Sequence, residues 1–164
     1  TIWIATVMMQ DISIIRPDLI ARIQALCEGE DDSIAIMATI SAELFNAVDG
    51  YDWVGFYRVV APDLLKIGPY QGGHGCLVVP FDRGVCGAAA RQQAIQLVND
   101  VDHFEGHIAC SSSTKSELVI PCFNQGGRLL GVLDIDSDQP HFFSWQDADL
   151  LDQMLRQLFQ NVSS

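Results

Sequence analysis

The sequence predicts an α+β fold, in which helices at both ends of the chain flank an antiparallel sheet. Three observations support this prediction: apolar residues recur at helical spacing near both ends, aromatic and β-branched runs occupy the middle, and a Gly126-Gly127 turn joins two of those runs. We expect residues 1–164 to form a single domain, because this length is enough for one sizeable core and short for two.

Two N-terminal helices are predicted over residues 18–27 and 33–48. Each segment carries an apolar stripe with the spacing of an amphipathic helix. Pro17 suits the first position of the first helix, where no backbone N–H is required. Asp32 or Ser33 can cap the second helix, because their side-chain oxygens accept hydrogen bonds from the first free amides.

The aromatic and β-branched run at residues 51–60 predicts a strand, and residues 64–67 predict its partner. Because side chains alternate along a strand, Trp53 and Tyr57 share one face and Phe56 points to the other. Core packing is the expected role of Phe56. Trp53 and Tyr57 suit either the core or the wall of a pocket, since each carries a polar atom that needs a hydrogen-bond partner.

Two long irregular segments interrupt the middle of the chain. Residues 68–87 contain six glycines and are predicted to form a mobile loop, and residues 99–116 form a second irregular stretch rich in serine. A short helix at residues 88–94 and a short strand at residues 95–98 are predicted between them. Long loops inside a small domain are usually functional, so we expect reactive groups in these segments.

The C-terminal part predicts a hairpin followed by a helix. Residues 117–123 and 128–137 have the composition of two strands. The helix is predicted to begin at Ser144, with Asp147 completing a weak capping box.

Five cysteines fall into two groups. Cys27 lies in a predicted helix and Cys122 in a predicted strand, and small thiols in such places usually fill space in the core. Cys76, Cys86 and Cys110 lie in or beside the irregular segments, where a thiol is better placed for nucleophilic or redox chemistry.

Two histidines lie close in sequence to these thiols. A nearby histidine can raise the thiolate fraction of a cysteine, although a structural role in the loops is the simpler expectation for His74 and His107. Together with Cys76 and Cys110 they would make a four-ligand zinc set. The single residue between His74 and Cys76 is tighter than the spacing of structural zinc sites, so the sequence predicts no metal.

Three carboxylates are predicted to converge on the hairpin. Asp134 and Asp136 lie on one face of the second strand, and Glu117 opens the first. Such a cluster can hold a substrate ammonium, ligate a metal, or contain one acid that stays protonated at neutral pH, while a solvated strand end is the simplest alternative.

Composition argues against one class of function and favours one cellular compartment. The 9 basic residues against 21 acidic ones give a formal net charge of -12, which disfavours binding to nucleic acid. Residues 1–10 are apolar, but they lack the basic lead-in and cleavage site of a signal peptide and are too short to span a bilayer. With an odd number of cysteines, this pattern favours a cytoplasmic protein whose thiols are reduced.

Taken together, these segments resemble the free methionine-(R)-sulfoxide reductases, a family built on a GAF domain. The resemblance runs from about residue 18 to residue 159. Its most specific parts are YDWVGFY at 51–57, GPYQGGHGCLVVPFDRGVCGAAA at 68–90, LVNDVDHFEGHIAC at 97–110, SELVIPCF at 116–123 and GVLDIDS at 131–137.

The resemblance implies a fold, an activity and roles for the loop cysteines. It implies a GAF-like, six-stranded antiparallel sheet flanked by N- and C-terminal helices, and reduction of the free amino acid methionine-(R)-sulfoxide. By the same resemblance Cys110 is the nucleophile, Cys76 the principal resolving cysteine, and Cys86 a second thiol able to enter the disulfide relay.

The resemblance also implies a set of substrate-binding residues. Glu117, Asp134 and Asp136 match the family's substrate-binding acids, and Trp53 matches the aromatic side of its methyl pocket. Tyr57, on the same strand face as Trp53, is predicted to join them.

The predicted chemistry follows from the reactivity of a sulfoxide. Its sulfur is a poor electrophile until the oxygen is protonated, so an acid such as Glu117 or Asp136 is required near Cys110. Attack by the thiolate leaves a sulfenic acid that condenses with Cys76, and thioredoxin is the natural donor to reduce the disulfide. No metal or organic cofactor is needed. A homodimer is suggested only by analogy with other GAF domains.

One alternative function is a non-catalytic GAF sensor, which would bind a small ligand or sense oxidants through the same thiols. A reductase should lose two free thiols when methionine-(R)-sulfoxide is added, whereas a non-catalytic sensor should lose none.

Overall fold

The computed structural model describes residues 13–163 and has a six-stranded sheet at its centre. Its strands are β1 (Trp53–Ala61), β2 (Leu64–Gln71), β3 (Val78–Pro80), β4 (Gln96–Val98), β5 (Ser116–Phe123) and β6 (Leu129–Ser137). The order across the sheet is β3-β2-β1-β6-β5-β4, and every neighbouring pair is antiparallel. The α+β fold predicted from the sequence is confirmed.

Four helices accompany the sheet: α1 (Pro17–Leu26), α2 (Ser33–Ala47), α3 (Gly84–Gln92) and α4 (Trp145–Leu158). Local sequence explains where two of them begin. The Asp32 side chain accepts hydrogen bonds from Ile34 N and Ala35 N at the start of α2. Ser144 Oγ accepts one from Asp147 N, at 3.1 Å, at the start of α4.

The two faces of the sheet are covered differently. One face packs on α2 and α4, against which α1 packs in turn, and forms the main core, in which Phe56 and Leu133 are fully buried. The other face packs on α3 and forms a second cluster. This cluster contains Tyr57, which follows Phe56 on β1, and Val132, which precedes Leu133 on β6. The alternation of side chains predicted for these strands is therefore observed.

The glycine-rich segment is more ordered than the sequence predicts. Strand β2 continues to Gln71, β3 lies within the segment, and α3 begins at Gly84 instead of at residue 88. The physical reason is close packing: a Cβ on Gly87 would lie 2.7 Å from Pro80 O. This glycine allows the helix to approach the chain before it and does not loosen the loop.

No helix within residues 13–163 combines the length and the apolar character needed to cross a bilayer. The apolar segment 1–10, for which the sequence predicts neither a signal peptide nor a membrane span, lies outside the described residues.

Candidate active site

A pocket opens on the face of the sheet that α3 covers, beneath the two irregular segments. Its lining includes most of the residues singled out from the sequence, namely Trp53, Tyr57, Cys86, Cys110, Glu117, Asp134 and Asp136. The remaining one, Cys76, is bonded to Cys110. The fold thus brings together residues from β1, α3, β5, β6 and both loops.

A disulfide joins the two irregular segments at the pocket. Cys76 and Cys110 are 34 residues apart in sequence, and their Cα atoms are 5.3 Å apart, a common separation for a disulfide. Both cysteines are partly exposed, so a second molecule can reach the bond. Cys86 is a free thiol buried in α3, with 6% of its surface exposed.

Trp53 holds the glycine-rich loop in place beside Cys76. Its indole Nε1–H donates a hydrogen bond to Gly73 O at 2.9 Å. Gly72 has a φ of +113°, a conformation that favours glycine, and a Cβ added there would lie 2.9 Å from the indole ring. The loop that carries Cys76 is therefore anchored to β1 by a side chain of the pocket wall.

The three acids are placed by the register of the sheet. Glu117 on β5 lies opposite Asp136 on β6, and Asp134 is two residues earlier on the same face. On the other side of β6, Trp53 is opposite Asp136 and Gly55 is opposite Asp134. Glycine is required there, since a Cβ on Gly55 would lie 2.6 Å from the Trp53 ring.

These acids are costly to ionise together. Burial, and then the neighbouring charges of Asp134 and Asp136, hold the pKa of Glu117 well above its ordinary value. Burial likewise raises the pKa of Asp134 and, with the charges of Asp134, Asp138 and Asp52, that of Asp136. The cluster therefore favours holding a proton, and Glu117, which is 7% exposed, is well suited to hold it.

One oxygen of the cluster lacks a partner. Asp134 Oδ1 is buried and accepts no hydrogen bond among the described residues. Since an unsatisfied buried acceptor costs about 1–3 kcal/mol, this oxygen is prepared to receive a donor or a cation from a ligand.

Burial also affects the thiol and the phenol in the pocket. It raises the pKa of Cys86 well above its ordinary value, with Asp134 the next contributor, and Cys86 Sγ lies 3.9 Å from Glu117 Oε1. The pKa of Tyr57 is raised for the same reasons. Cys86 is therefore a protonated thiol in this state and a poor nucleophile.

The sequence favoured a structural role for His107 over an effect on a nearby thiol, and the structure places this histidine in the pocket. His107 Nε2 lies 3.8 Å from Glu117 Oε2. Burial lowers the pKa of His107 and raises that of Glu117, so both shifts favour the neutral forms and disfavour an ion pair at this contact. Its closeness to Cys110 in sequence identified it as a candidate, whereas its contact with Glu117 was not predicted.

The zinc set considered from the sequence is not formed in this state, because Cys76 and Cys110 are bonded to each other. A different group is close enough to share a cation. Ligand atoms of Cys86, Glu117 and Asp134 all lie within 4.8 Å of one another.

The arrangement combines three chemical capacities. The disulfide stores two oxidising equivalents at the pocket. The acids can bind a cationic group and supply a proton, and the Trp53 and Tyr57 rings, with centroids 5.9 Å apart, give an apolar wall. A small zwitterionic molecule with an apolar end and a reducible group suits this pocket.

Comparison with known proteins agrees with this geometry. The GAF domain family matches residues 31–162. The chain is 42% identical over 141 residues to GAF domain-containing protein A of Dictyostelium discoideum, covering 86% of this chain and 88% of that protein. It is 39% identical over 141 residues to the free methionine-R-sulfoxide reductase of Escherichia coli, covering 86% and 84%.

A solved structure gives the same result. The free methionine-R-sulfoxide reductase of Neisseria meningitidis, in complex with its substrate, superposes with a TM-score of 0.82 and 40% identity. The match covers 87% of this chain and 85% of that one.

Proposed function

The chain belongs to the GAF-domain family of free methionine-R-sulfoxide reductases, and on that premise we propose that it reduces free methionine-(R)-sulfoxide to methionine. The observation that carries the proposal is the Cys76–Cys110 disulfide at a pocket lined by three acids and an aromatic wall. A GAF domain that bound a ligand without chemistry would not require this disulfide.

The acids and the aromatic wall account for recognition of a free amino acid. Asp134, whose Oδ1 has no partner within the described residues, and Asp136 receive the substrate ammonium. The Trp53 ring lies on the same side as these acids and receives the methyl end. A methionine sulfoxide within a protein chain has no free ammonium, so the same carboxylates exclude it.

Glu117 is the proton donor in this proposal. Burial and the charges of Asp134 and Asp136 raise the pKa of this carboxyl, which favours its protonated form, and it lies in the pocket with Cys110. Protonation of the sulfoxide oxygen makes the sulfur electrophilic.

The reaction then balances in two steps. The Cys110 thiolate attacks the sulfoxide sulfur and forms an S–S bond while the sulfoxide oxygen takes the proton of Glu117. The hydroxyl then transfers to Cys110 Sγ as this S–S bond and the substrate S–O bond break, which releases methionine and leaves a sulfenic acid on Cys110. The substrate sulfur gains two electrons, which Cys110 loses. The Cys76 thiol next attacks Cys110 Sγ, releasing water and forming the disulfide. Cys86 is buried and protonated, so we assign it a secondary role.

The remaining parts of the cycle concern partners. An external dithiol must reduce the disulfide, and thioredoxin fits this requirement in a cytoplasmic protein. The homodimer suggested by analogy stays a prediction that the mass in solution would test.

A turnover assay on free methionine-(R)-sulfoxide with thioredoxin as the reductant tests the function. Cys110→Ser should abolish methionine formation, because it removes the nucleophile. Cys76→Ser should release about one methionine per chain and then stop, because the sulfenic acid forms without it. Cys27→Ser, the same change at a buried thiol of the main core, is the control and should turn over normally.

Steady turnover by Cys110→Ser would contradict the proposal. So would a wild-type protein that loses no thiols on adding the substrate, and a melting temperature raised by another small ligand would then favour the sensor hypothesis.

A further inference from the structure

We propose that the reduced protein binds a borderline-soft divalent cation, typified by Zn²⁺, through Cys86 Sγ and carboxylate oxygens of Glu117 and Asp134. The cation would occupy part of the substrate pocket and hold the protein in an inhibited state. Nothing in the proposed reaction requires the ion, and its binding does not depend on that reaction, whereas the inhibited state rests on the proposed function.

The distances favour a shared ligand. Cys86 Sγ is 3.9 Å from Glu117 Oε1, and the three ligand atoms lie within 4.8 Å of one another. Tetrahedral ligands at the usual Zn–S and Zn–O distances of about 2.3 and 2.1 Å are about 3.6 Å apart. The Cys86–Glu117 pair therefore needs to shorten by about 0.3 Å, and the pairs that include Asp134 by no more than about 1.4 Å.

A second, independent observation points to a missing cationic ligand. Asp134 is 5% exposed and lines the pocket, and its Oδ1 has no hydrogen-bond partner among the described residues. Cys86 and Glu117 are equally buried, at 6% and 7% exposure. Three acidic groups withdrawn from water gain most from a positive charge placed between them.

The donor set selects the class of ion. One thiolate with two carboxylates suits Zn²⁺, Co²⁺ or Cd²⁺ and does not suit Mg²⁺ or Ca²⁺, which prefer oxygen ligands alone. Three protein ligands leave a fourth position for a solvent molecule, as in zinc sites that remain open.

Coordination balances without any oxidant. The ion displaces the proton of the Cys86 thiol, which leaves as H⁺, and any carboxyl proton of Glu117 or Asp134 is released in the same way. The bond formed is between metal and sulfur, and no electrons are transferred.

The inhibition follows from shared ligands. Asp134 and Glu117 are the groups to which we assign the substrate ammonium and the proton transfer. A cation bound to both carboxylates prevents the substrate from using either, so metal and substrate should exclude each other.

Titration with Co²⁺ tests the site without measuring turnover. The Cys76→Ser/Cys110→Ser double variant cannot form the disulfide and keeps the three proposed ligands. We expect Co²⁺ to give this variant a sulfur-to-cobalt charge-transfer band in the near ultraviolet. Adding Cys86→Ser should abolish the band, and adding Cys27→Ser, the matched control, should leave it unchanged.

Two further measurements complete the test. Adding Asp134→Asn should weaken Co²⁺ binding by more than about 100-fold, since even outer-shell changes cost roughly 10–100-fold. Methionine should displace the ion in the double variant, and excess Mg²⁺ should not. The metal site is overturned if no band forms, or if the band survives Cys86→Ser in a chain that circular dichroism shows to be folded. The inhibited state is overturned if methionine raises the melting temperature of the double variant and still leaves the band unchanged. If methionine changes neither the melting temperature nor the band, the proposed function is contradicted and the metal site stands.

Discussion

The two faces of the sheet use the same strands for different purposes. On β6, Leu133 and Ile135 are fully buried in the main core, while Asp134 between them lines the pocket with a buried oxygen that lacks a partner within the described residues. On β1, Phe56 likewise packs in the main core, while the adjacent Tyr57 lies on the pocket face. Adjacent residues therefore separate stability from chemistry, and substitutions one position apart should have distinct effects.

The largest contrast is expected from the acid on the pocket face. Glu117→Gln keeps the size of the side chain and removes its transferable proton, so we expect the turnover number to fall by about 10²–10⁴-fold. Loss of a buried ionisable group should not reduce the free energy of unfolding. Steady-state kinetics and denaturant unfolding measure the two quantities, and Glu28→Gln, at an exposed position, is the control.

A decrease of less than threefold in turnover for Glu117→Gln would show that another group donates the proton. Asp136 is then the candidate, because its pKa is raised as well.

The converse change on the core face should affect stability alone. Leu133→Ala leaves a cavity among fully buried residues and should lower the free energy of unfolding by about 2–5 kcal/mol. Turnover per folded molecule should change little, because the side chain faces away from the pocket. Leu26→Ala, at a residue 53% exposed, should cost far less. A large loss of turnover in folded Leu133→Ala would show that the two faces are coupled.

The turnover number of the wild-type protein should depend on pH through the Glu117 carboxyl on the pocket face. The folded-state pKa of Glu117 is raised, so the carboxyl is protonated below that pKa and is lost as a donor when pH rises through it. We expect the turnover number to decrease about tenfold per pH unit above that point. Measurement in a chelating buffer excludes metal effects, and the descending limb should be missing from Glu117→Gln.

The smallest effect is expected where the pocket wall supports a loop. Trp53→Phe removes the hydrogen bond to Gly73 O, at a cost of about 0.5–1.5 kcal/mol in the free energy of unfolding. The smaller ring should also raise KM for the substrate. Trp145→Phe, at an exposed indole in α4, is the matched control and should change neither quantity. Equal KM values for the two variants would show that Trp53 does not contact the substrate.

The sequence was sufficient for features that depend on local periodicity. Alternation along β1 and β6 predicted that Trp53 and Tyr57 share a face, and that Asp134 and Asp136 do so too. The fold class follows from the same patterns, since each strand and terminal helix has its own apolar period.

Features that depend on tertiary packing could not be predicted as well from the sequence. Helix α3 contains Gly84 and Gly87, although glycine disfavours helices. Gly84 has a φ of +67°, and the close approach of Gly87 to Pro80 O requires a residue without a side chain. The contact of His107 with Glu117 joins two segments ten residues apart whose relative position only the folded chain defines.

The Cys76–Cys110 bond also has a consequence for the lifetime of the protein. A bridge between residues 34 apart restricts the unfolded chain and should stabilise the folded one by about 4 kcal/mol relative to the dithiol form. Unfolding and proteolysis should therefore be slowest in the oxidised form. If the supply of reductant fails, the protein should persist in a resistant, inactive form and resume work when reductant returns, without new synthesis.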